Sequence, residues 1–511
     1  MKTRLWLEGA GTGIVFSIGL CWNQISPTHL YLYHRLLPVT TMVRATTIDL
    51  VLACLLGTAI VWLLDKIDSQ GRTLLWLAFA GVIVARLVAG LMASEVILKA
   101  GITPVKFWLP VCAAGLLLWL LARKAYSFAV NGLRTLLLLL GICIFWMLPE
   151  LVALSLQHTR AEAETFSRNV PHVPSPHRRV IWALFDELSW NLTFDQRWPG
   201  LDLPNFDQLR AQSVSFPNLQ PAGFYTEQVV PSLLLGKPIE EVRSTPQGWL
   251  QYRPTAHGSW QSFQGEQTLF ADAHRQGWTT GLAGIYNPYC RLLPSQLDVC
   301  WSQLLPFADH MSPDQSTFSN VMAPIHASWV RSVQHPEQKS ETHDGVTAIL
   351  REANTLIANE DVDFVFLHLP LPHPPGEFDR RTGRIRSGGS YLDNLALADQ
   401  VLGSLRQEIA RTGSAGQTTL VVSSDHSWRI PLWRFERFWT EEDETLARSQ
   451  NYVFDPRPVL MVSFPGESAG LGVKSSLPLL DMHEMLEEIL SGRIASSDQL
   501  QAWALHAQKT P

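Results

Sequence analysis

The sequence predicts a two-part molecule: an α-helical membrane domain of about five spans, followed by a layered α/β domain. Two observations carry this. Hydrophobic residues make up 46% of the 511 positions and charged ones 17%, yet most of the apolar surplus lies before about residue 155. Beyond residue 180, short continuous apolar runs alternate with amphipathic helical patterns. The chain is also too long for one ordinary domain.

Five apolar stretches read as spans, at roughly 9–22, 46–64, 73–93, 106–122 and 133–154. A helix needs about 20 mainly apolar residues to cross the bilayer core. The first stretch is short and Gly-rich and has the look of a signal peptide, but four more spans follow, so cleavage there would free no soluble protein. Lys2, Arg4, Lys66, Arg72, Arg123, Lys124 and Arg134 fall on one side of the spans; Arg35, Arg44, Lys99, Lys106 and Arg160 fall on the other. The larger basic group marks the cytoplasmic side. An odd number of spans then puts everything after Leu154 outside the cytoplasm. The expectation is a multi-pass plasma or inner-membrane protein with its second domain on the periplasmic side. Arg86 sits mid-span, where it either pairs within the bundle or snorkels, or contacts a lipid headgroup.

Charge excludes one class of partner. The net charge is −6 with no long basic run, so there is no electrostatic footprint for nucleic acid. Cys21, Cys54, Cys112 and Cys143 lie in or at the spans. Cys290 and Cys300 lie in the second half, where an oxidising compartment makes a bridge plausible and two buried thiols are the alternative.

The domain boundaries read as 1–154 for the membrane domain, 155–179 for a Pro-rich linker and 180–511 for the α/β domain. The runs VIWALF, DFVFLHL (363–369), TTLVVSSD (418–425) and PVLMVSF (458–464) suit strands of a parallel sheet buried on both faces. Helical patterns stand between them at 267–277 and 391–413, and 477–490 reads as an amphipathic helix. Residues 302–345 read as loop-rich, a cover for the site or a substrate-selecting segment. In open α/β sheets the active site lies at the carboxyl ends of the strands. Here one run ends in Asp186-Glu187, another holds His368 and leads to His373, and a third ends in Asp425-His426.

Carboxylates with imidazole suit Zn²⁺ or Mn²⁺, and less selectively Mg²⁺ or Ca²⁺. A divalent ion would polarise a phosphoryl or sulfuryl oxygen and activate a bound hydroxyl. A hydroxyl is a poor nucleophile without such help. The candidate is Thr226 in GFYTEQVVPSLLLGK, although a Thr before a helix is, taken alone, more often an N-cap.

The ordered set VIWALFDEL, T-x4-PSLLLG, FLHLPLPHPP and LVVSSDH resembles the alkaline-phosphatase/sulfatase superfamily, in particular the membrane-embedded branch with lipoteichoic acid synthases and phosphoethanolamine transferases. The resemblance covers about 180–470. It implies an α/β sandwich of alkaline-phosphatase/sulfatase type, with Asp186 and Glu187 beside or on a metal. Thr226 would be both nucleophile and ligand, Asp425 and His426 a ligand pair, His373 a phosphate contact, and His368 a further substrate-side histidine or a buried one. Thr stands where sulfatases carry the Cys that becomes formylglycine, and Val230 stands at their Arg position, which argues against an ordinary sulfatase. The first strand ends in Asp-Glu where the branch usually has Glu-Ser, and Ser427 replaces the usual Gly after Asp-His; the next histidine after His426 is His483, far downstream, so one metal site is expected rather than two. The expected function is transfer of a phospholipid headgroup phosphate to a glycan or lipid acceptor. A hydrolase of the same fold and a catalytically decayed membrane scaffold are the alternatives.

Overall fold

The computed structural model describes residues 2–34, 40–67, 69–92, 126–156, 165–168, 178–304, 311, 315–324, 341–436, 438–467 and 470–507. The chain forms two compact units: one of residues 1–161 with 246–248 and 306–335, the other of 162–245, 249–305 and 336–511.

The first unit is helical. Its described long helices run Lys2–Ile25, Thr40–Lys66, Ser69–Met92, Tyr126–Ile142 and Ile144–Ser155. Three stretches are long and apolar enough to cross a membrane: Lys2–Trp22, Thr40–Lys66 and Ser127–Ser155. The helix at the expected 73–93 span has a shorter apolar stretch, Leu75–Leu87. The expected span at 106–122 lies outside the described residues. The Gly-rich start has a packing reason. A Cβ on Gly9 would overlap Thr58, and one on Gly57 would stand 2.5 Å from the Gly9 carbonyl oxygen. Small residues thus let the first two long helices meet backbone to backbone.

The charges of this unit are organised differently from the sequence expectation, which singled out Arg86. That residue is exposed, and its Nη2 lies 3.5 Å from the Phe16 carbonyl. Glu8, by contrast, is wholly buried and accepts from Arg4 Nε at 2.8 Å and from Arg134 at 3.0 and 2.8 Å. Arg134 also bonds Asp65 at 2.9 Å. Carboxylate and guanidinium neutralise one another, as intramembrane charges must. Part of the segment expected to cover the site also belongs here. Met311 and Val321 share a hydrophobic cluster with Ile25, Leu32, Met42 and Leu154.

The second unit is built on a nine-stranded sheet. Its strands are β1 (Thr165–Ser167), β2 (Arg179–Phe185), β3 (Val214–Ser215), β4 (Thr280–Ile285), β5 (Val299–Gln303), β6 (Phe364–Leu369), β7 (Thr418–Ser424), β8 (Leu460–Ser463) and β9 (Leu471–Gly472). Their order is β1-β5-β4-β6-β2-β7-β8-β3-β9. Strands β5, β4, β6, β2 and β7 are mutually parallel. Every residue of β2, β6 and β7 is buried, as unbroken apolar runs require of a sheet covered on both faces. The run at 458–464 departs from the expectation: β8 pairs antiparallel with β7. The linker also departs, because its residues 165–167 form β1, paired antiparallel with β5. Strands β4 and β5 and the Glu341–Ala358 helix lie where no strand or helix was read.

Two expected helices fall at Leu269–Arg275 and Tyr391–Arg411. The latter starts on a capping box in which Ser390 Oγ accepts from the Asp393 N–H and the Asp393 carboxylate accepts from the Ser390 N–H. That satisfies two otherwise unpaired backbone donors. The 477–490 pattern resolves into the strand Leu477–Pro478 and the helix Met482–Leu490. Cys290 and Cys300 form a disulfide from the segment after β4 to β5.

Candidate active site

Register decides which side chains meet. Phe185, the last residue of β2, pairs with Leu369 of β6 and Ser424 of β7. The three neighbouring parallel strands therefore end level. Asp186 follows β2, His368 is the penultimate residue of β6, and Asp425 follows β7. Their ligand atoms all lie within 4.8 Å of one another, and all three residues are buried. His426 joins them: its Nε2 lies 3.0 Å from Asp425 Oδ2 and 3.7 Å from Asp186 Oδ1. His368 Nε2 stands 3.9 Å from Asp186 Oδ2. His368, expected as a substrate-side histidine or a buried one, is fully buried, and its ring nitrogen groups with the two aspartates.

Thr226 is the first residue of the helix Thr226–Leu235, and Tyr225 is its cap. Its hydroxyl is therefore not an N-cap. It points at His426, with Oγ1 3.1 Å from Nε2. The last helical turn closes on Gly236, whose φ of 63° is the left-handed value a glycine adopts without cost. The free N–H groups and dipole at the start of a helix favour an anion beside Thr226.

Glu187 turns elsewhere. Its backbone takes a φ of 67°, an uncommon value for a residue with a Cβ. Its Oε1 accepts from Arg429 Nε at 2.5 Å and Trp433 Nε1 at 2.7 Å, and its carbonyl accepts from the Tyr391 hydroxyl at 2.8 Å. It lies outside the Asp186–His368–Asp425 group. His373 packs its ring edge-on against Trp433, with centroids 5.0 Å apart, and its carbonyl accepts from Asn394 Nδ2 at 2.9 Å.

Arg429 went unnoticed in the sequence. It is 3% exposed, bonds Glu187, and donates from Nη1 to the Phe224 carbonyl at 2.9 Å, which ties the loop before Thr226 to the loop after β7. Its position three residues past His426, in DHSWR, was the available signal. Tyr289 also went unnoticed; its hydroxyl lies 2.6 Å from His368 Nδ1.

The electrostatics suit a divalent cation. Asp186, Glu187 and Asp425 bring three carboxylates, and Arg429 supplies one guanidinium. Burial first, then the facing Asp425 carboxylate, push Asp186 well above the usual carboxylate range. Burial, the largest single influence, raises Asp425, but His426, His368 and Arg429 together outweigh it and hold the group low. Burial pushes His368 down to about 4, so its ring is neutral at pH 7, the form that binds metal. His426 Nδ1 lies 3.4 Å from the Ser427 carbonyl and Nε2 3.0 Å from Asp425 Oδ2, so a neutral ring with its proton on Nδ1 would turn the Nε2 lone pair towards the carboxylates, where an ion would sit. Asp186 Oδ1, Asp425 Oδ2 and His368 Nε2 are buried without a hydrogen-bond partner. Converging buried acceptors are costly unless a cation joins them. The residues present fit a metal ion.

A parallel sheet thus brings acid and histidine side chains together on three adjacent strand tips, with a hydroxyl on a helix start facing them. Residues 178–432 match the Sulfatase family model. No curated protein matches the chain. Similar solved structures include the phosphonate monoester hydrolase of Agrobacterium radiobacter, at 16% identity and TM-score 0.37 over 62% of this chain and 74% of that one. The phosphonate monoester hydrolase of Silicibacter pomeroyi is similar at 13% identity and TM-score 0.39, over 62% and 73%. An alkaline phosphatase superfamily protein from Vibrio parahaemolyticus is similar at 13% identity and TM-score 0.38, over 66% and 72%.

Proposed function

We propose that the protein is a membrane-bound, metal-dependent phospho-group transferase with Thr226 as nucleophile. It moves a phospholipid headgroup phosphate to a glycan or lipid acceptor outside the cytoplasm. One observation carries this reading: Thr226 Oγ1 stands 3.1 Å from His426 Nε2, which itself faces Asp425 and Asp186.

Asp186, Asp425 and His426 would hold the ion, with His368 and the Thr226 oxygen in reach and Glu187 supporting through Arg429. A divalent cation there, Zn²⁺, Mn²⁺, Mg²⁺ or Ca²⁺, supplies Lewis-acid polarisation and a lower hydroxyl pKa. Thr226 Oγ1 attacks phosphorus in line. The Oγ1–P bond forms as the bond to the lipid alcohol oxygen breaks; the proton released by Thr226 and the one taken up by the leaving oxygen exchange with solvent, because burial pushes His373 down to about 4 and leaves its ring neutral. The helix N-terminus and Arg429 favour the anionic group. An acceptor hydroxyl then attacks the phosphothreonine, its oxygen replaces Oγ1 on phosphorus, and the threonine hydroxyl is restored. Thr226 at the nucleophile position, with Val230 where sulfatases place Arg, supports phosphate over sulfate chemistry. The membrane helices support a lipid donor, since tethering raises its effective concentration. The same reading puts the domain on the periplasmic face of a plasma or inner membrane.

Mass spectrometry of the purified protein incubated with headgroup-labelled phospholipids tests this. A covalent headgroup phosphate on Thr226 supports it. Unmodified Thr226 with unchanged lipids would sink it. Release of free product without an acceptor would mark a hydrolase of the same fold, and a Thr226→Ala variant that still restores the cellular phenotype would mark a scaffold.

A further inference from the structure

A second set of ligand-type side chains lies in the α/β unit and has no part in the chemistry above. Asp272, His483 and Glu487 each offer an atom within 4.8 Å of the other two. His483 and Glu487 stand one turn apart on the helix Met482–Leu490, so they share a face. Asp272 comes from the helix Leu269–Arg275.

The hydrogen bonding of His483 makes the set more than an acidic cluster. Its Nδ1 lies 2.8 Å from the Leu233 carbonyl oxygen. A carbonyl only accepts, so Nδ1 carries the proton. In the neutral ring Nε2 then presents a lone pair, and it faces Glu487 Oε1 at 3.5 Å. Two acceptors turned towards each other repel unless something positive joins them. Ligating histidines are commonly held this way, with the second ring nitrogen donating to a backbone carbonyl. The ring also has a fixed seat: a Cβ on Gly236 would come within 2.5 Å of His483 Cδ2. Arg275 pairs with one oxygen of Asp272, and the carboxylate has a second.

We propose that Asp272, His483 and Glu487 form a second, structural divalent-cation site of zinc type. It staples the C-terminal end of the Thr226–Leu235 helix to the two helices beside it. One imidazole nitrogen and two carboxylate oxygens suit Zn²⁺, with solvent completing four-coordination. Leu233 and Gly236 form the last turn of the helix whose first residue is Thr226, so the ion would brace the nucleophile from the far end without touching substrate.

The test uses the full chain in detergent, stripped of metal and dialysed against buffered free zinc, with bound zinc counted by mass spectrometry. Asp425→Asn is the background, because it acts at the other site. We expect one zinc per chain in that background, and at least about tenfold weaker binding once Glu487→Gln or His483→Ala is added. Zinc should also raise Tm in the Asp425→Asn protein and lose that effect in Asp425→Asn/Glu487→Gln. Should His483→Ala fail to fold, the surface substitution Glu487→Gln decides alone. Equal zinc binding and equal Tm response with and without Glu487→Gln would overturn the proposal, leaving an imidazolium–carboxylate pair.

Discussion

Thr226 Oγ1 and His426 Nε2, 3.1 Å apart, make the sharpest residue-scale test. Thr226→Ala removes one oxygen and one methyl group from a buried position, so the fold should persist while headgroup transfer falls about 10³-fold or more, as for loss of an essential nucleophile. A transfer assay beside a thermal melt separates the two. Thr226→Ser should keep part of the rate. Arg429 makes a different demand. It is the guanidinium bonded to the buried Glu187 carboxylate, so Arg429→Met leaves that charge without its partner at a cost of about 3–5 kcal/mol. A denaturant midpoint reads this. Adding Glu187→Gln should recover part of the loss, because the two residues share one interaction. Asp186, Asp425 and His426 were legible as chemistry-bearing residues at run ends, and Thr226 only through the resemblance carried by T-x4-PSLLLG. Arg429 was not, because a lone Arg in a loop has no pattern until its carboxylate partner is known.

Helix and strand ends carry the next set of constraints. Gly236 closes the Thr226–Leu235 helix at a φ of 63° against the His483 ring. Gly236→Ala adds backbone strain of about 1–3 kcal/mol and a collision, so Tm should drop and the nucleophile helix should loosen, visible as faster amide exchange. Beside β4 and β5, Asp298 accepts from the Thr280 N–H at 2.9 Å and lies 3.0 Å from His274 Nε2. Burial raises the Asp298 pKa, but these partners prevail and keep it below the usual carboxylate range. A depressed carboxylate stabilises the fold above its unfolded pKa of about 3.9, and that contribution is lost as pH falls through the lower folded value. His274→Ala should therefore move the acid-unfolding midpoint upward, with its cost fully present at pH 7 and fading as pH falls below about 3.9. The amphipathic helices were readable from their periods. Strands β4 and β5 were missed because TGLAGI and VCWSQ are short and carry no sustained apolar run, and their place in the sheet comes from neighbours.

At the scale of the whole molecule, ion binding and folding are linked. The acceptors at the strand tips repel one another without a cation, so a bound ion stabilises the native state by about 2.7 kcal/mol at a concentration a hundredfold above its dissociation constant. Stripping the full chain with a chelator should lower Tm and abolish transfer, and a returned divalent ion should restore both. Asp425→Asn should blunt the Tm response. Unchanged melting and transfer after verified metal removal would sink the metal-dependent reading. In the helical unit, the buried Glu8 held by Arg4 and Arg134 was hidden because Glu8 lies before the apolar stretch read as the first span. The Lys2–Ile25 helix carries it inward.

By itself the sequence determined where the apolar helices and the buried runs lie, because hydrophobic period and run length are local properties of the chain. It also marked which runs end in acids and histidines. Only the tertiary structure decided that β6, β2 and β7 stand side by side and level, since strand order depends on packing between distant segments. That adjacency draws His368 to the aspartates and gives the Thr226 hydroxyl its partner. It also leaves Glu187 with Arg429, because a φ of 67° turns its side chain away from the residue before it.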